Sequence, residues 1–317
     1  MGCQHTLLTA IKKILKKQDM IEMRDIAMMS ADTPCLPGWL RLVIVSDTHN
    51  VDIPISLFPE GDLLIHAGDH TKCGLFSELT DAAAWLRSLA ARFTYGVVSI
   101  AGNHDKPLDV ETWHQAASLS QSGELWSREL MATAWELFES NCIDGRSVPM
   151  RLLQHSAEEI AGLTFFGSPY IGLTPRRQAM TQDNPLRYEG FARDPQRLME
   201  LYADIPPGLD VLITHSPPLG ILDSSVQYGG VLRKKPISIG SVALIERLRN
   251  MLPDERPRLH IFGHEHDSGG FFWDEELEIL FVNAAAVNGD SSVLKQGGNY
   301  VMKEDFRPWV IDIKVNS

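Results

Sequence analysis

Short apolar runs, five of them followed closely by a carboxylate, imidazole or amide side chain, constrain this chain more than any other feature. The runs lie at Leu42–Ser46, Leu63–Ala67, Val97–Ala101, Leu163–Gly167, Val211–His215, Leu259–Gly263, Leu277–Asn283 and Trp309–Val315. Runs this short and continuously apolar read as strands buried on both faces. Helical stretches separate them at Ser77–Phe93, Leu125–Cys142, Pro195–Ala203 and Ser241–Met251. Such alternation predicts an α/β fold.

The residues that end these runs carry the chemistry. Leu42–Ser46 is followed by Asp47-Thr48-His49, Leu63–Ala67 by Gly68-Asp69, and Val97–Ala101 by Gly102-Asn103-His104-Asp105. Val211–Thr214 leads into His215, and Leu259–Phe262 into Gly263-His264-Glu265-His266. Open α/β sheets place ligands at the C-terminal ends of their strands. Asp47/His49 and His264/His266 are spaced i, i+2, so in an extended chain each pair points to one face. With Asp69, Asn103 and His215 they make a set of oxygen and nitrogen ligands that suits two divalent ions sharing a carboxylate. Imidazole with carboxylate favours manganese, iron or zinc. The absence of thiolate from the set argues against a structural zinc site. A lone D-x-H is usually a surface turn, but five such fragments, each closing a predicted strand, have no adequate explanation as turns.

Composition narrows the function further. Acidic residues outnumber basic ones, 41 to 29, for a net charge of −12. A broad cationic face for long nucleic acid is therefore not expected, whereas bound metal ions could still attract a small anion. The cysteines Cys3, Cys35, Cys73 and Cys142 form no C-x-x-C pair, which fits a reducing compartment and a cytoplasmic location. No recognisable serine or cysteine elbow offers a rival covalent mechanism.

The order D-x-H, GD, GNHD, H, GHxH resembles the calcineurin-like metallophosphoesterase superfamily. The phrases SDTHN, GDLLIHAGDHT, AGNHD, ITHSPPLGILD and HIFGHEHDSGG are similar to its small metallophosphoesterase-domain (brain protein) subgroup. The resemblance covers roughly Arg41 to Ile313 and implies two mixed β-sheets packed as a sandwich, flanked by helices. It implies a dinuclear centre with Asp47, His49, Asp69 and His266 on one metal. Bridging Asp69, with Asn103, His215 and His264, would hold the other. The implied cofactors are two divalent ions, Mn²⁺ first, with Fe, Zn or Mg as alternatives. The implied reaction is hydrolysis of a small phosphodiester (cyclic-nucleotide-like) or phosphomonoester by a metal-bridging hydroxide. Its catalytic residue is His104, facing the phosphate. Asp105, the next residue, could orient His104 as carboxylates behind a working histidine commonly do, with a simple turn cap as the equal alternative. The alternative is a regulatory or scaffold protein that retains a weakly active centre. His70 departs from the family pattern, which has an apolar or aromatic residue there. It is expected in an exposed loop, with a substrate contact as the alternative. Arg176 and Arg177, in the long Pro169–Asp194 segment, are candidate phosphate contacts, weighed against solvated loop charges.

The chain divides at sequence level into residues 1–36, a basic helical extension with a proline-containing linker, and the phosphoesterase domain, 37–317. Met1-Gly2-Cys3-Gln4-His5-Thr6 matches the myristoylation pattern, and Cys3 could take a palmitoyl group. Lys12, Lys13, Lys16 and Lys17 could add a peripheral membrane contact, although such a helix can equally pack on the domain.

Overall fold

A computed structural model of the chain describes residues 20–23, 25–111, 128–139, 142–143, 146–147, 149–173, 189–226, 236–288 and 300–315. The strands of its two large sheets are β1 (Met20–Met23), β2 (Ile26–Met29), β3 (Trp39–Val45), β4 (Leu63–His66), β5 (Val97–Ile100), β6 (Met150–Leu153), β7 (Ser156–Ile160), β8 (Leu163–Ser168), β9 (Val211–Thr214), β10 (Leu259–Phe262), β11 (Gly270–Asp274), β12 (Ile279–Asn283) and β13 (Trp309–Lys314). One sheet has seven strands in the order β1-β2-β13-β3-β4-β5-β6, and the other has six in the order β11-β12-β10-β9-β8-β7. In the seven-stranded sheet β3-β4-β5-β6 are parallel and β1-β2-β13-β3 antiparallel; in the six-stranded sheet β12-β10-β9-β8 are parallel and both edge pairs antiparallel.

Strand alternation explains the layers. In β3, Leu42 and Ile44 face the space between the sheets, joined there by Leu63, Ile65, Val98, Phe165, Ile213, Ile261 and Val282. The odd residues Val43 and Val45, with Leu64 and Val97, face outward under helix α1 (Phe76–Ala90). Helix α2 is Arg128–Phe138. Helices α3 (Pro195–Ala203) and α4 (Val242–Asn250) cover the second sheet, burying Leu198, Leu201, Tyr202, Leu244 and Leu248 against Phe166, Leu212 and Phe262. Asp194 accepts the Arg197 N–H at the start of α3, and Ser241 accepts that of Leu244 at the start of α4, each satisfying a donor that the first turn leaves open.

The two-sheet sandwich agrees with the expected fold. The division at residue 36 does not agree with it, because β1 and β2 form a hairpin that extends the seven-stranded sheet. Ile26 and Ala27 are fully buried against the core, so this stretch is part of the domain and not a linker. Edge strands β7 and β11 were also absent from the sequence reading. Ser156–Ile160 buries only Ile160, and so carries no apolar run.

Candidate metal centre

Among the described residues, the clusters of potential ligands lie where central strands of both sheets end on the same rim. The first segment turns back there: Ser46 bridges Ala285 of the other sheet, and the chain then enters left-handed backbone at Asp47 (φ 53°) and His49 (φ 46°). Asp69 (φ 55°) and His264 (φ 66°) adopt it too. Asp, Asn and His tolerate this region better than other side-chain-bearing residues, and strain of this kind collects at functional sites. The i, i+2 pairs therefore meet through tight turns and not through the extended alternation expected from their spacing; His266 begins a 3₁₀ turn. Two glycines of the motifs are steric requirements. A Cβ on Gly263 would overlap the Asp47 carboxylate, and one on Gly102 the carboxylate of Asp69.

Three groups of ligand atoms converge: Asp47, His49 and His266; His49, Asp69 and His104; and Asp69, His215 and His264. His49 Nε2 lies 3.2 Å from His266 Nε2, 3.6 Å from Asp69 Oδ2 and 4.0 Å from Asp47 Oδ1. His266 Nε2 is 3.2 Å from Asp47 Oδ1. His215 Nε2 lies 3.3 Å from Asp69 Oδ2 and 3.1 Å from Asn103 Oδ1, which is also 2.8 Å from His264 Nδ1. Asp47, His49, Asp69, Asn103 and His215 are all buried.

The tautomers show what this arrangement suits. Nδ1 of His49 faces the Thr71 carbonyl at 2.8 Å, that of His215 the Ala67 carbonyl at 3.0 Å, and that of His104 the Lys72 carbonyl at 2.5 Å. A carbonyl only accepts, so each Nδ1 carries the proton and each Nε2 presents a lone pair inward. Those lone pairs meet carboxylate oxygens and the Asn103 amide oxygen, which are acceptors as well. A buried cavity of acceptors is unfavourable without a cation among them, so the donor set fits divalent metal ions. His266 Nδ1, buried without a hydrogen-bond partner, adds to this.

Electrostatics agree. Burial alone would raise the Asp47 carboxyl, but the hydrogen bond and charge of His266 hold it well below the usual carboxylate range. Asp69 is likewise low, because the charges of His215 and His104 outweigh its burial. Burial pushes His49 down to about 3, keeping it a neutral ligand. His215 moves the other way: burial would lower it, yet the Asp69 carboxylate raises it to about 10, a measure of how strongly the site attracts positive charge.

Two expected roles need correcting. Asp105 does not orient the His104 ring. It is fully buried and accepts the backbone N–H groups of Gly102, His70 and Thr71 at 2.9, 3.1 and 2.9 Å and the Thr71 hydroxyl at 2.8 Å. It thus ties the Asp69 loop to the Asn103 loop. His70 is neither exposed nor aimed at substrate. It is buried, stacked on His66 with ring centroids 3.9 Å apart, and its Nε2 faces the Ile100 carbonyl. Arg176, Arg177, Gly2 and Cys3 lie outside the described residues.

The sequence reading missed Tyr300. Its ring stacks on His49 at 3.9 Å and 8°, with His266 and His104 at 5.7 and 6.1 Å. Burial, followed by the nearby Asp69 and Asp47 carboxylates, raises its phenol. No spacing or motif leads to it: it follows Gly297-Gly298-Asn299, far along the chain from His49.

A two-sheet sandwich with a carboxylate–imidazole cluster at its strand ends defines a metallophosphoesterase, and the sequence profile of calcineurin-like phosphoesterases matches residues 40–268. The chain belongs to this family, whose members are hydrolases that typically bind divalent metals. Among its relatives is metallophosphoesterase domain-containing protein 1 of Homo sapiens, 34% identical over 265 residues, which are 81% of this chain and 70% of the relative. A UPF0046 protein of Caenorhabditis elegans is 29% identical over 86% of this chain and 84% of its own length. Two solved structures align over 88% of this chain and 81% of theirs. They are GAP50, the anchor in the inner membrane complex of Plasmodium (12% identity, TM-score 0.41), and a protein serine/threonine phosphatase from Saccharomyces cerevisiae (15%, 0.33). Tyr300 lies beyond the segment the family profile covers.

Proposed function

We propose that this phosphoesterase hydrolyses a small phosphodiester of the cyclic-nucleotide type, with two divalent ions, Mn²⁺ first among them. The observation that carries the reading is the convergence of carbonyl-pinned Nε2 lone pairs on buried carboxylates. The metals, when bound, supply Lewis acidity for the phosphate and for its attacking water. Asp47, His49, Asp69 and His266 would hold one, and Asp69, Asn103, His215 and His264 the other. Asp69 stands centrally, with Oδ2 3.6 Å from His49 and 3.3 Å from His215 while Oδ1 accepts the His104 backbone N–H at 2.8 Å.

His104 performs the proton step. With Nδ1–H held by the Lys72 carbonyl, the half-buried ring must first take up a proton at Nε2; as the imidazolium it would then give that Nε2 proton to the leaving oxygen of the ester and return to the neutral ring. Arg176 and Arg177 are assigned to substrate phosphate. The described ends of their loop support this: Leu173 pairs with Arg193, and the Gly190 N–H donates to the Asn103 carbonyl at 2.9 Å. An unchanged KM in the double alanine variant would reject this role for the two arginines.

The test uses EDTA-stripped protein reloaded with Mn²⁺, assayed on bis-p-nitrophenyl phosphate and on p-nitrophenyl phosphate. Metal-dependent turnover with preference for the diester is expected; preference for the monoester would overturn the diester assignment. Two bound ions without turnover of either would favour a regulatory role. Cytoplasmic residence, with peripheral membrane contact through Gly2 and Cys3, belongs to the same proposal. Fractionation beside a Gly2→Ala variant tests it, equal cytosolic distribution removing the membrane contact. No helix among the described residues is long and apolar enough to cross a membrane.

A further inference from the structure

The two central imidazoles of the site are held in different ways. His215 is enclosed by backbone: a Cβ on Gly68 would come within 2.6 Å of its Nδ1, and one on Gly102 within 2.7 Å of its Cε1. Its ring has no freedom to turn. His49 has a single hydrogen bond at Nδ1, to Thr71. The ring can turn only about its Cβ–Cγ bond, and such a pivot would break this hydrogen bond and carry Nε2 away from Asp47 and Asp69. The parallel ring of Tyr300, 3.9 Å away, blocks that pivot.

The chain holds Tyr300 firmly. It immediately precedes Val301–Met302, which pairs with Val287–Asn288 in an antiparallel arm. Lys303 clamps the base of the arm, its backbone N–H donating to Ala286 and its Nζ to the Ala285 carbonyl at 2.6 Å. Ala285 in turn bridges Ser46, the residue before Asp47. The arm and the first ligand turn are therefore mechanically one unit.

We infer that Tyr300 is a positioning residue that sets the orientation of His49 and, through it, the affinity of the metal position bounded by Asp47, His49 and His266. The face of the ring does this and the hydroxyl does not. The position bounded by Asn103, His215 and His264 is independent of Tyr300. This rests on the reading of the site as a dinuclear centre.

The experiment is a Mn²⁺ titration of the EDTA-stripped full chain, following free Mn²⁺ by electron paramagnetic resonance, for wild type, Tyr300→Phe and Tyr300→Ala. Thermal unfolding of each stripped protein accompanies it. Wild type should take up two ions. Tyr300→Ala should weaken one of the two dissociation constants by about 10–100-fold, as loss of a group orienting a ligand does. The other constant and the metal-free Tm should hold, and Tyr300→Phe should match wild type at both positions. Unchanged constants in Tyr300→Ala would overturn the inference, as would equal weakening at both positions with a lowered metal-free Tm. A Tyr300→Phe as weak as Tyr300→Ala would also overturn it. Wild type that binds no Mn²⁺ would defeat the dinuclear reading itself, whereas two ions held equally by wild type and Tyr300→Ala would defeat only the role of Tyr300.

Discussion

The space between the two sheets and the rim where their strands end are built from the same strands, yet they follow opposite rules. Between the sheets, Leu42, Ile44, Ile65, Val98, Ile213 and Ile261 are apolar and fully buried. At the rim, one to three residues past the strand ends, Asp47, Asp69, Asn103 and His215 are also buried but polar or charged, and Asp47 and Asp69 sit in left-handed backbone. Regular strands place the rim residues but do not stabilise them. The rim is a region whose cost the apolar interior offsets. The two regions should therefore respond to mutation in separable ways.

The sharpest test removes the shared carboxylate. If Asp69 serves both metal positions as proposed, Asp69→Ala takes a ligand from each, and turnover should fall by at least about 10³-fold, since a Lewis-acidic metal is worth several kcal/mol. Metal content, measured by plasma emission spectroscopy, should drop with it. Retention of two ions would show that Asp69 does not bridge. His104→Ala should lower kcat by about 10²–10⁴ with metal content kept, because the contact from His104 to Asp69 is made by the backbone N–H and survives the change. Loss of metal in that variant would place His104 among the ligands, a role its grouping with His49 and Asp69 would then explain.

The interior should show the converse. Ile213→Ala opens a cavity between the sheets and should cost about 2–5 kcal/mol in chemical denaturation. The Mn²⁺ constants of the folded fraction should stay unchanged, and a change in them would mean that interior and rim are coupled. The smallest effect separates a buried histidine of the scaffold from those of the rim. His260 is buried against Thr214 (2.9 Å), and burial pushes it down from 6.5 to about 3. Unfolded, it takes up a proton below about pH 6.5 that the folded chain refuses until about pH 3. Its share of the stability is thus complete above pH 6.5 and declines as pH falls through that window. Denaturation at pH 7 and pH 5, in EDTA, should show a smaller pH difference for His260→Gln than for wild type. Equal differences would contradict the assignment.

Much of this molecule was legible in its sequence because the informative signals are local. A strand buried on both faces must be continuously apolar, so β3, β4, β5, β8, β9 and β10 announced themselves, and the carboxylate, imidazole or amide after β3, β4, β5, β9 and β10 marked the rim. The edge strands could not be read that way. Ser156–Ile160 is mostly exposed and polar, and Met20–Met29 joins the sheet only because β13 offers it an unpaired edge.

The proposed ligand set Asp47, His49, Asp69, Asn103, His215, His264 and His266 could be named from sequence because each residue lies just past a strand end, where chain order already dictates placement. The tertiary structure alone decided how these side chains are aimed and braced. Left-handed turns, not i, i+2 alternation, bring Asp47 and His49 inward. Asp105 found four donors on neighbouring loops and so ties loops together instead of serving His104. His70, polar and adjacent to a ligand, was drawn under the sheet against His66 because its Nε2 could reach the Ile100 carbonyl. Tyr300 reached His49 across more than two hundred residues of sequence through an arm pinned at Ala285. The physical reason is the same in each case. A residue's neighbours along the chain limit which backbone it can adopt, but the partner of a buried polar or aromatic group is whichever group the packed fold brings within a few ångströms.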